Sequence, residues 1–142
     1  MQQFISQIDK RGGETMATFR KNNIGELKKL LYNSDVHDAK LENFGYKCGE
    51  DIIKMKLFNP IFNVEINIIF HHIGIALAIN DGVYGNCETV SSLTVEEDFA
   101  YLQNYIPKYK GCLEDSLYLL FQMFSGDELH IVAKEVFVEI IR

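Results

Sequence analysis

"IFNVEINIIF", residues 61–70, is the stretch that decides the fold. Phe62, Val64, Ile66, Ile68 and Phe70 alternate with Asn63, Glu65 and Asn67. A period of two, with β-branched and aromatic residues on one side, is the pattern of a half-buried strand. "IGIALAIND", residues 73–81, continues it. Ile73, Ile75, Leu77 and Ile79 share a face, and the small Gly74, Ala76 and Ala78 behind them leave room for the N-terminal helix to lie close. Residues 80–86, "NDGVYGN", are rich in turn formers.

Working upstream, "IIKMKLF" puts Ile53, Met55 and Leu57 on one face and Lys54 and Lys56 on the other, and Asn59-Pro60 ends that strand. "CGED", residues 48–51, is a turn. Before it His37, Ala39 and Leu41 alternate with Asp38, Lys40 and Glu42, then the apolar phase slips to Phe44 and Tyr46, which predicts a bulge near Asn43. Further up, "NNIGELKKLLYNS" changes the period to that of a helix. Ile24, Leu27, Leu30 and Leu31 recur on one side, Asn23 and Glu26 have the spacing of a capping box, and Asn33, Ser34 and Asp35 stop it. Residues 1–22 are polar and broken by Gly12-Gly13, the composition of a flexible arm with Phe4, Ile5 and Ile8 as its apolar face.

Downstream, "TVEEDFAYLQNYIP" predicts an inserted helix. Thr94 and Glu97 form its capping box, Phe99, Leu102 and Ile106 its stripe, and Pro107 its end. In the closing segment "SGDE" separates two apolar runs and predicts a hairpin. Leu117, Leu119, Phe121 and Met123 alternate in one arm; Val136, Val138 and Ile140 alternate with Glu135 and Glu139 in the other. Sequential strands with short turns favour antiparallel pairing. The expected fold is α+β: a mainly antiparallel sheet, meander plus C-terminal hairpin, with an N-terminal helix and one inserted helix, as a single domain over residues 23–142.

The 142 residues suit one core. Fourteen Lys and Arg against 20 Asp and Glu give a net charge of -6, which argues against nucleic acid and anionic membrane surfaces as partners. Cys48, Cys87 and Cys112 are odd in number and widely spaced, the pattern of reduced thiols rather than a disulfide framework or zinc ribbon. The first residues have no apolar signal core, and no apolar run approaches the ~20 residues of a membrane helix. The cytoplasm is the expected location.

The entry to the first strand (His37, Asp38, Ala39, Leu41) and the last strand (Ile131, Ala133, Lys134, Val136, Val138) resemble a loose group of small bacterial proteins of unknown function. Some of these resemble immunity proteins that accompany secreted toxins. The resemblance covers residues from about 24 to 142 apart from about 85 to 110, and implies a protein-binding role without a catalytic assignment.

His37-Asp38 has the composition of half a catalytic or metal site, but neighbours on a strand point apart, and an Asp at a helix-to-strand junction bonds local backbone N–H groups. The pair is therefore expected to be a corner. His71-His72 would need Asp81, Glu88 or His37 to complete a metal site, and no ligand spacing supports one. No nucleophile elbow, P-loop or dinucleotide fingerprint is present. Tyr101, Tyr105 and Tyr109 recur every four residues with Glu97 one turn before, an acidic and aromatic strip suited to a basic protein partner. The expectation is a non-enzymatic protein that binds another protein or itself through Glu97, Tyr101 and Tyr105, without cofactor or metal. The alternative is a small-molecule or metal-binding protein, or an enzyme, with a pocket near His37, His71 and His72.

Overall fold

The structure is a computed structural model that describes residues 9–11, 14–80, 85, 88–105 and 113–142. In chain order the elements are β1 (Asp9–Arg11), β2 (Glu14–Phe19), α1 (Ile24–Tyr32), β3 (Lys40–Lys47), β4 (Ile52–Asn59), β5 (Val64–Ile79), β6 (Val90–Glu96), α2 (Ala100–Gln103), β7 (Leu117–Met123) and β8 (Glu128–Ile141). Every strand pairing is antiparallel.

The axis of the molecule is the long pair β5–β8. β4 and then β3 extend the sheet from β5. The opposite edge of β8 is divided: residues 136–141 pair with β2, and residues 128–133 pair with β7, which carries β6. The start of β3 meets the start of β6. A bridge joins Lys40 to Thr89, and Asp38 N–H donates to Val90 O at 2.9 Å, Val90 N–H to Ala39 O at 2.8 Å and Leu41 N–H to Glu88 O at 2.9 Å. Strands β3, β4, β5, β8, β7 and β6 thus form a ring, closed at one short seam, with β1 and β2 as a flap.

β5 serves both halves because it bends. Its register slips between Ile73 and Ile75, and His72 has φ of 60°. Asp51 pins the slip: its backbone oxygen accepts from His72 N–H at 3.2 Å and its Oδ1 from Ile73 N–H at 3.1 Å. Before the bulge Val64, Ile66, Ile68 and Phe70 are buried in the main core; after it Ile75 is buried in a separate cluster. The main core inside the ring includes Leu57, Ile66, Ile68, Leu119, Phe121 and Ile131. Val132, next to Ile131 and so on the other face of β8, joins Ile75, Leu102, Leu113 and Tyr118 in a second cluster.

Several expectations change. Residues 14–19, predicted as part of a flexible arm, form a sheet strand with Ala17 and Phe19 buried. Residues 1–8 and the Gly-Gly lie outside the described residues. The inserted helix is not built from Thr94. Residues 90–96 are a strand, because Val90, Thr94 and Val95 are β-branched and pair with β7; only the four residues of α2 are helical, and Ile106 and Pro107 lie outside the described residues. The Asn23–Glu26 capping box does not form, because Asn23 Oδ1 accepts from Arg20 N–H at 2.7 Å at the mouth of a preceding 3₁₀ turn. Phe62 is 63% exposed, since residues 60–63 are turn and the strand begins at Val64. Phe44 and Tyr46 are exposed as well, on an outer strand, although the bulge between Leu41 and Asn43 is where the phase slip puts it. The α1 helix packs on β2 and β6 through Leu27 and Leu31, not on the small residues of β5. Among the described residues no helix is long and apolar enough to cross a membrane.

Candidate functional site

His37-Asp38 is a corner, as expected, but Asp38 does not hold it. Asp35 and Asp38 both have positive φ, 62° and 71°. The turn is fixed by Asn59, which is fully buried: its Nδ2 donates to Asp35 O at 2.8 Å and His37 O at 3.0 Å, and its Oδ1 accepts from Ile61 N–H at 2.9 Å. β3 begins only at Lys40, so the two side chains are not forced to opposite faces, and His37 Nε2 comes within 3.6 Å of Asp38 Oδ1. His37 Nδ1–H donates to Ser91 O at 2.6 Å, tying the corner to β6.

The histidine pocket is not assembled. His37 is tied to one end of β4 through Asn59, and His71 pairs with Ile52 at the other end. Seven strand steps separate these ends, about 23 Å. Among the described residues no three His, Cys, Asp or Glu side chains are placed to hold a metal ion. Asp81, Cys87 and Cys112 lie outside the described residues.

The tyrosine strip is present in part. Tyr101 and Tyr105 are 49% and 53% exposed, with ring centroids 5.9 Å apart. Tyr109 lies outside the described residues. Glu97 follows β6 rather than heading a helix, and Lys28 Nζ donates to its Oε2 at 2.5 Å, holding its carboxyl below the usual range. The strip is therefore aromatic with less acid than the spacing suggests.

Beneath Tyr101 is a group the sequence did not single out. His130 is 2% exposed, and the Tyr101 ring stacks on it at 5.1 Å with planes 8° apart. Its Nδ1 lies 2.6 Å from Tyr118 Oη and its Nε2 3.0 Å from Glu128 Oε1. Burial, with Glu96 and Glu128 nearby, pushes the Tyr118 hydroxyl up to about 12. A carboxylate can only accept, so His130 Nε2–H donates to Glu128. The available signal was the i, i+2 spacing of Glu128 and His130, which puts both on one strand face.

An apolar concavity opens at one end of the ring, beside the β3–β6 seam. It holds about 390 Å³. Leu57, Val90 and Phe121, all buried, line it together with the more exposed Leu41, Phe44, Met123 and Leu129; Ala78, Ile79 and Asn80 come from the end of β5. Its acidic lining residues are Glu88, Asp127 and Glu128. Such a volume lies within the ~300–1,000 Å³ of small-molecule sites, and the end of a small β-barrel is a common place for one. Comparison with known protein families, curated proteins and solved structures returned no match.

Proposed function

We propose that the protein is a non-enzymatic binding protein that takes a small apolar molecule into the open end of the ring. The cavity carries this reading: six strands converge on it, and its surface is mostly hydrocarbon. The Tyr118–His130–Glu128 group does not argue for catalysis, since Tyr118 and His130 are each 2% exposed and Tyr101 covers the imidazole. The test is the fluorescence of Nile red, a neutral apolar dye, in the presence of the chain. Emission should shift to the blue and saturate with protein. Ala78→Trp, which puts an indole into the cavity from an exposed strand end, should abolish the shift while leaving the melting temperature within a few degrees. Unchanged dye binding in that variant would remove the cavity as the site.

A second reading keeps a protein partner at Tyr101 and Tyr105, in line with the resemblance to immunity proteins. It is supported by two exposed rings, one of them held in place by a buried histidine. Rigid aromatic anchors carry much of the energy at interfaces. Tyr101→Ala with Tyr105→Ala should weaken binding of a co-purified basic partner at least tenfold without loss of fold. Unchanged affinity would discard the strip.

A further inference from the structure

The polar lining of the cavity is one-sided. Its ionisable residues are Glu88, Asp127 and Glu128, and no Lys, Arg or His is among its described lining residues. Two of these three residues are engaged. Glu128 accepts from His130 Nε2 at 3.0 Å, with Gln122 Nε2 3.4 Å from its second oxygen, and Asp127 has a partner of its own. Glu88 differs. Its backbone oxygen accepts from Leu41 N–H in the seam, while its carboxylate is exposed and meets no side-chain partner among the described residues.

We infer that the ligand is a cationic amphiphile: a compact apolar body with an amine or quaternary ammonium head, the body in the cavity and the head against Glu88. This rests on the reading of the cavity as a small-molecule site and adds the sign of the ligand's charge. An apolar body removes hydrocarbon from water against Leu57, Val90 and Phe121. An ammonium keeps part of its hydration at the rim and gains a counter-charge, as a lysine does when its stem is buried and its head is not. A carboxylate head would meet the Glu88 charge with no Lys, Arg or His among the described lining residues to offset it, which discriminates against anionic amphiphiles.

The test is competition with bound Nile red by decylamine, decanol and decanoate, each below its aggregation concentration, at pH 7 where the amine is protonated. The intact chain and Glu88→Gln are compared at 20 and 300 mM salt. Decylamine should displace the dye about 3–10-fold more tightly than decanol at low salt, and decanoate should be the weakest. The preference for the amine over the alcohol should collapse in Glu88→Gln and shrink at high salt. Equal displacement by amine and alcohol would overturn the cationic head while leaving the cavity standing. A preference that survives Glu88→Gln would overturn Glu88 as its anchor. Bound dye that none of the three displaces would count against the cavity itself. Glu88 is exposed, so the variant should retain the intact chain's melting temperature, and that measurement separates a lost contact from a lost fold.

Discussion

Ile66 sits where three strands meet, opposite Leu57 on β4 and Ile140 on β8, and it is fully buried. Ile66→Ala removes hydrocarbon from the centre of the ring and should lower stability by about 2–5 kcal/mol in urea titrations. Glu65 next to it is half-buried and bonds Asn67 at 2.8 Å, so Glu65→Ala should lose far less. The corner offers a sharper comparison. Asn59→Ala leaves the backbone oxygens of Asp35 and His37 without their donor in a part-buried place, a loss of about 1–2 kcal/mol. Asp38→Gly should be near neutral, because at a φ of 71° glycine is the less strained residue. A larger loss at Asp38 than at Asn59 would return the corner to the aspartate. At Tyr118 the reasoning extends to pH. Its folded pKa of about 12 lies above the ordinary 10.0, so the stability it confers is complete below pH 10 and is lost as pH rises toward 12. Urea midpoints at pH 8 and pH 11 should therefore fall less in Tyr118→Phe than in the parent.

Elements were legible in the sequence where alternation was long and uninterrupted. β4, the span of β5 from Val64 to Phe70, and the alternating residues of β7 and β8 were read as strands because a period of two buries every second side chain there. The errors have physical sources. At residues 90–96 a four-residue capping signature competed with β-branched residues, and pairing with β7 decided for the strand. At residues 14–19 only Ala17 and Phe19 are buried, too short a pattern to stand out beside a Gly-Gly dipeptide, which is as much a hairpin signal as a linker signal. Because β2 belongs to the sheet, Phe19→Ala should lower stability by about 3–5 kcal/mol, a loss that a dangling arm could not produce. Truncation before Arg20 should expose the edge of β8 from Val136 to Ile141 and promote aggregation, read by light scattering.

At the scale of the whole molecule, the cavity was not legible because it belongs to no single segment. It exists only when β3 reaches β6, and the residues that meet there are about fifty apart in sequence, Lys40 with Thr89. His130 was missed for a related reason: its meaning depends on Tyr118 across the hairpin and on Tyr101 above it. β8 carries a consequence of a different kind. It pairs with β2, β5 and β7, and all three precede it in the chain. No sheet that joins those strands can be completed during synthesis until β8 has emerged, so the earlier strands must wait with their edges open. Folding is then late and non-local, in the range of milliseconds to seconds typical of high contact order, and the waiting chain is a natural client for chaperones that shield strand edges.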